Sequence, residues 1–260
     1  MINMLIPKII HQFWVGGDIP KRLIPYMYSW KKYHSNWEVK FWTEDNIPEL
    51  INQEQFDTAE TYSEQADILQ YEVLYKYGGI VCDCDLECHK NIEKLLLSKD
   101  FLISKAAVDH QIEIGNYLLY PRWFDTGFVA ATPKHVLIKK IIDAIPESYE
   151  MYEKLPEFIK DQIICPVCWR VGPNFISSVL KNEKFYTYPI ETFNGQYATH
   201  HYESSWKKPQ FMREKKLVQK EKRKVERTKK RKLKSQARST YLQNKKERKK
   251  KLSKNPFQVI

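Results

Sequence analysis

The segment from Thr61 to Asp85 does most to limit how this chain can fold, because it reads as a helix, a glycine pair and a short apolar strand closing on two aspartates. Tyr62, Ala66, Leu69, Val73 and Tyr77 recur at three- and four-residue steps, the stripe of a helix with one face on a core. Gly78 is the left-handed stop that such a helix favours. Ile80-Val81-Cys82 then supplies strand residues, and Asp83 and Asp85 end it with Cys84 between them. Alternation along this strand puts both carboxylates on one side and Cys82 and Cys84 on the other. Two carboxylates leaving a strand end together offer hard oxygen ligands for Mg²⁺ or Mn²⁺, completed by waters and the phosphates of a substrate. The plainer reading of Asp-x-Asp is an acidic turn, and only its surroundings can decide. One such surrounding is on the helix itself, where Asp67 and Gln70 lie side by side one turn apart.

The flanking segments alternate strand and helix. Residues 5 to 14 read as a buried first strand, and Val15-Gly16-Gly17-Asp18 turns the chain. Trp14 ends that strand, so its ring either stacks on a base at the mouth of the sheet or fills the core. A helical pattern over 22–37 leads to a second strand at Val39 to Trp42. Beyond Asp85 the sequence predicts a loop and short helix over Leu86 to Leu97, a strand over Phe101 to Ala107, and another over Trp123 to Ala131. The last carries Asp125-Thr126-Gly127 at its start. Pro133 opens a helix over Val136 to Ile145. A turn at Arg170 to Asn174, a helix over Phe175 to Leu180 and a short strand over Phe185 to Pro189 follow, before the body closes on Thr199 to Trp206. This order is that of an α/β sheet, whose ligands bind at the carboxyl ends of the strands.

Charge divides the chain in two. Residues 207–254 hold 23 Lys and Arg against 4 Glu, a net +19, so the +11 of the whole leaves −8 for residues 1–206. We therefore read 1–206 as the folded domain and 207–260 as a strongly basic C-terminal tail, helical or disordered. Val218, Val225, Leu233, Ala237 and Tyr241 are spaced roughly as one helical stripe within it. The tail suits an anionic membrane surface better than nucleic acid, whose footprint should also mark the folded surface. Met1 to Ile10 lacks the long apolar run of a signal peptide, and no run reaches the roughly 18 apolar residues of a spanning helix. The expectation is a cytoplasmic protein, peripheral at a membrane, with all five cysteines reduced.

Six stretches taken in order resemble the glycosyltransferases that carry the DXD sugar-binding region. They are IPKIIHQFWVGG at 6–17, SW at 29–30 with Trp42, ADILQYEVLYKYGGIVCDCD at 66–85, ATPKH at 131–135, VGP at 171–173, and HHYESSW at 200–206. That group includes initiating mannosyltransferases of yeast type and bacterial capsule enzymes and, more distantly, the clostridial glucosylating toxins. The resemblance implies a GT-A fold, a nucleotide-binding single mixed sheet flanked by helices. It also implies one divalent cation, Mn²⁺ or Mg²⁺, and retaining transfer of a hexose from a UDP- or GDP-sugar donor to a polysaccharide, glycolipid or protein-glycan acceptor. By position, Trp14 would stack on the base and Asp67 would contact the ribose or donor sugar beside Gln70. Asp83 and Asp85 would hold the metal on the diphosphate. His200, Ser205 and Trp206 would close over it, with Trp206 counted beside the aspartates as catalytic.

Several positions depart from the family's pattern. Gln70 stands where Arg is usual, exchanging a fixed cation for a neutral hydrogen-bonding amide. Ala66 replaces Ser, Val81 replaces Tyr and Tyr202 replaces Trp. Asp125-Thr126 stands where Asn is common, which makes Asp125 a candidate for a sugar hydroxyl. Two rival readings remain. Cys82, Cys84, Cys88 and His89 with the pair Cys165 and Cys168 offer zinc-type ligands. The other is a catalytically degenerate GT-A protein whose basic tail binds nucleic acid or a membrane surface.

Overall fold

The computed structural model describes residues 5–106, 112–114, 117–119, 124–161, 163 and 165–203, with the backbone alone for 112–114 and 117–119. The expected tail therefore lies outside the described residues, as do Ser205 and Trp206. Strands are β1 (Ile9–Phe13), β2 (Glu38–Trp42), β3 (Gly79–Cys82), β4 (Leu86–Cys88), β5 (Phe101–Lys105), β6 (Ile112–Ile114), β7 (Tyr117–Leu119), β8 (Phe124–Ala131), β9 (Tyr186–Tyr188) and β10 (Ala198–His200). Helices are α1 (Ile24–Tyr33), α2 (Gln53–Thr58), α3 (Tyr62–Tyr77), α4 (Glu93–Leu96), α5 (Val136–Glu153), α6 (Glu157–Lys160), α7 (Pro166–Arg170) and α8 (Pro173–Leu180). No helix among the described residues is long and apolar enough to cross a membrane.

The expected mixed sheet has six strands in the order β2-β1-β3-β8-β5-β9. β1 pairs parallel to β2 and β3, while β8 runs antiparallel to both β3 and β5. Two layers cover it. Leu69, Val73, Ile138, Ile142, Phe175 and their neighbours from α3, α5 and α8 fill one face. Trp30, Trp37, Leu86, Leu96 and Phe193 fill the other, against Ile10, Ile80 and Cys82 of the strands.

The centre of the sheet depends on close packing at the helix–strand junction. α3 is capped by Thr61, whose side chain accepts from the Glu64 N–H, and it ends on Gly78 at φ 63°. A Cβ on Gly79 would stand 2.6 Å from the Ile9 carbonyl oxygen, so only glycine lets β3 start against β1. His11 completes the joint, its Nε2 donating to Gly78 O at 2.8 Å and its Nδ1 accepting from Trp42 Nε1 at 3.0 Å. Burial lowers the His11 pKa to about 4, which keeps the ring in this neutral form.

Four features differ from the sequence reading. β3 stops at Cys82, and Asp83 to Asp85 form a turn closed by Leu86 N–H to Asp83 O at 3.0 Å. Strand alternation therefore does not orient the aspartates. Residues 86–88, read as loop, form β4 and pair antiparallel with β10. α5 continues past Ile145 through Pro146 to Glu153. Proline removes the donor that Ile142 O would have used, and Asn52 Nδ2 supplies a replacement at 3.0 Å. Lastly, Cys165 and Cys168 are joined as a disulfide, against the expectation of five thiols. They bracket the first turn of α7 with Cα atoms 5.3 Å apart, which is bonding distance for the pair.

Candidate active site

Asp83 and Asp85 leave the carboxyl end of β3 beside the end of its parallel neighbour β1. The turn is fastened on both sides. Asp83 N–H donates to Gly127 O at 3.0 Å, and Cys84 Sγ donates to Phe13 O at 3.0 Å. A third group arrives from far along the sequence. The β4–β10 ladder sets His200 opposite Leu86, with its Nε2 3.2 Å from Asp85 Oδ1 and 3.6 Å from Asp83 Oδ2. Tyr202 stacks on the His200 ring at 4.2 Å. The loop after β10 also grips Asp85, through Glu203 N–H to Oδ2 at 2.8 Å and His201 N–H to the backbone O at 3.0 Å.

The three side chains differ in access and charge. Asp83 keeps 44% of its side-chain surface open, against 15% for Asp85 and 12% for His200, so Asp83 is the group that a ligand meets first. Loss of water and then the Asp85 charge push Asp83 up to about 7. Burial works the same way on Asp85, but the His200 and Glu203 hydrogen bonds outweigh it and hold that carboxyl below its usual range. Burial opposes the charged form of His200, yet Asp85, Asp83 and Asp125 together push it up to about 9. The imidazolium thus balances two carboxylates where a cation could do so.

Donor atoms of Asp83, Asp85 and His200 all lie within 4.8 Å of one another, and they form the metal-competent cluster found among the described residues. Two carboxylates with an imidazole fit a borderline ion such as Mn²⁺ better than Mg²⁺, which prefers oxygen alone. The cysteines do not compete for it. Burial raises the pKa of Cys82 well above the usual thiol range and takes Cys88 to about 12, while Cys88 Sγ donates to Lys90 O and His89 bonds Thr199. The disulfide removes Cys165 and Cys168 as thiolate ligands, so the zinc reading finds no support.

The other expected residues surround the cluster. Asp125 is buried near the start of β8, its Oδ1 accepting from Gly127 N–H at 2.8 Å. A register shift in the β5–β8 ladder, with Ile103 opposite Val129 but Ser104 opposite Asp125, leaves extra β8 residues to bulge there. On α3, Gln70 Nε2 donates to Asp67 Oδ1 at 3.0 Å. Burial raises the Asp67 pKa well above the carboxylate range, the charges of Asp83, Glu64 and Asp125 add to it, and the Gln70 amide opposes it. Trp14 follows β1, bonded through its N–H to Trp42 O at 2.9 Å, and its indole N–H is buried with no acceptor. An open pocket of about 230 Å³, mouth included, adjoins Asp125, His200 and Tyr202 and runs toward Phe193 and Asn194.

Gly127 escaped the sequence reading. A Cβ there would stand 2.8 Å from His200 Cε1 and 3.2 Å from both Asp83 Oδ2 and Asp125 Oδ1. The Asp-Thr-Gly run was its only signal. Gly127→Ala should push His200 away and weaken Mn²⁺ binding by about tenfold, roughly 1.4 kcal/mol. Titration of Mn²⁺ by electron paramagnetic resonance, with unchanged affinity as the refuting result, checks this.

A mixed sheet with an Asp-x-Asp at the end of a central strand is the architecture of a GT-A glycosyltransferase domain. Residues 20–102 match the family described as "Glycosyltransferase sugar-binding region containing DXD motif". Inositol phosphoceramide mannosyltransferase 3 of Schizosaccharomyces pombe is 36% identical over 97 residues, 35% of this chain and 27% of that one. Inositol phosphoceramide mannosyltransferase 1 of the same yeast is 26% identical over 182 residues, 66% of this chain and 50% of that one. The chain thus spans half or less of the length of these relatives. The catalytic domain of alpha-toxin from Clostridium novyi shares the fold at a TM-score of 0.51 and 10% identity, over 68% of this chain and 73% of that one.

Proposed function

We propose that this chain transfers a hexosyl group from a nucleoside diphosphate sugar to a glycolipid acceptor, with retention at the anomeric carbon. The names of the relatives favour mannose as the sugar and an inositol phosphoceramide as the acceptor class. The observation that carries the reading is the meeting of Asp83, Asp85 and His200, from two distant segments, at the carboxyl end of β3.

Asp83, Asp85 and His200 would hold Mn²⁺, which neutralises charge on the departing diphosphate when bound. Trp14 would stack on the base through the face of its indole ring. Asp67, held by the Gln70 amide, would contact a ribose or sugar oxygen. Asp125 would take a sugar hydroxyl at the pocket edge. Ser205 and Trp206 would follow from the loop after Glu203. Glycoside hydrolysis fits poorly, because its two carboxyl groups flank a bond at about 5 Å or more, whereas these converge on one imidazole.

Labelled GDP-mannose and UDP-glucose, each offered with detergent-dispersed inositol phosphoceramide and Mn²⁺, test the proposal. It expects label from one donor in the lipid phase. Label released only to water would mean a hydrolase. No turnover of either donor would favour the second reading, a GT-A protein whose Gln70 marks the loss of the donor.

A further inference from the structure

We infer that the outer face of α1 is a docking surface for an anionic lipid bilayer. The segment 19–37 contains Lys21, Arg22, Lys31 and Lys32 and no Asp or Glu, in a body whose net charge is −8. Only Ser29 and Trp30 of the helix proper are buried. Ile24 is 48% exposed and Tyr28 66%, and with Lys31 and Lys32 they follow one another at four- and three-residue steps along one side. Pro25 and Tyr33 are exposed beside them. No carboxylate pairs with Lys21, Lys31 or Lys32 among the described residues; Lys31 donates to the carbonyls of Ser35 and Trp37. Exposed aliphatic and tyrosine side chains flanked by lysines are the composition of a helix lying in a headgroup layer. Nucleic acid would ask for cations without the aliphatic face.

The inner side of α1 ties this face to the active site. Trp30 Nε1 donates to Leu86 O at 2.7 Å and Ser29 Oγ accepts from Cys88 N–H at 2.7 Å, which seats the helix on β4. At its N-terminal end Tyr26 stacks on His201 at 4.0 Å, and Arg22 pairs with Glu203 at 2.8 Å. Those residues belong to the loop whose backbone holds Asp85. A bilayer on α1 therefore brings a lipid-borne acceptor to the cluster. That purpose rests on the glycolipid reading; the binding itself does not.

The test is a nitroxide depth measurement on the full chain. Cys82, Cys84 and Cys88 are buried, so a cysteine placed by Tyr28→Cys can be labelled selectively. Val136→Cys, at the exposed start of α5 on the opposite layer, controls for general stickiness. With phosphatidylserine-containing vesicles, the label at 28 should gain oxygen contact and lose contact with a water-soluble nickel chelate, while the label at 136 should not change. Ile24→Asp with Tyr28→Asp should lower vesicle binding about tenfold in 0.5 M salt, which screens the basic tail. A vesicle-bound protein with position 28 still in water overturns the inference. So does shielding of 28 by double-stranded RNA but not by vesicles. Either result leaves sugar transfer in micelles unaffected, so the two readings fail separately.

Discussion

Asp85→Asn should lower hexosyl transfer by about a thousandfold, the scale expected when a fixed charge facing a developing anion is removed. Asp85 is the hub of the site, bonded to His200 through one oxygen and to the Glu203 N–H through the other. An asparagine keeps the shape but supplies one acceptor oxygen where two are used, and it brings no charge to a cation. The cluster would lose a charged ligand for a cation while the fold stays. Initial rates measured beside a thermal melt separate those effects. A variant that melts like the parent and is slower by three orders of magnitude is the expected outcome. A rate within threefold of the parent would remove Asp85 from the chemistry.

Glu64→Ala should destabilise the domain by about 3–5 kcal/mol, because it strands a buried guanidinium. The Arg170 side chain is 4% exposed and that of Glu64 is fully buried, with Nε and Oε1 2.8 Å apart in an ion-pair contact rather than an aligned hydrogen bond. Glu64 also accepts from Tyr149 OH at 2.8 Å and from the Glu60 N–H at 2.8 Å. Arg170 lies over the rings of Tyr149 and Tyr152, at 5.5 and 4.9 Å. Glu60, 3.4 Å away and 43% exposed, can compensate only in part. Urea unfolding should show the loss, with the melting temperature about 10 °C lower. Replacing both partners by methionine should cost far less, since no unpaired charge stays behind. A loss below about 1 kcal/mol for Glu64→Ala would show that the pair contributes little.

The network also ties α7 and the turn after it to α3 near the site. Tyr71 OH donates to Val171 O at 2.8 Å, and a Cβ on Gly172 would lie 3.3 Å from Asp67 Oδ2. The turn at 171–173 therefore packs directly against Asp67. The family pattern singles out both stretches, and the structure supplies the contact between them.

Much of the fold was legible because its signals are local. The stripe of α3, the glycine stop, the apolar run of β3 and the strand at 124–131 each rest on periodicity within one segment. What escaped depends on distant partners. β4 is three residues long and becomes a strand only because β10 pairs with it. α5 survives Pro146 because Asn52, 90 residues away, serves the freed carbonyl. The aspartates do meet, but a turn locked by Gly127 and Phe13, rather than alternation, brings them together. His200 entered through the family resemblance alone, since nothing within ATHHYE marks it as a neighbour of the aspartates.

The most direct test of the central claim is calorimetric binding of GDP and UDP, with and without Mn²⁺, to the parent chain and to Asp85→Asn. The account predicts that the parent binds one of the two nucleotides, that this binding requires Mn²⁺, and that Asp85→Asn abolishes it. Binding of a nucleotide equally well without metal, or equally well to Asp85→Asn, would contradict the assignment of Asp83, Asp85 and His200 as a metal-assisted donor site.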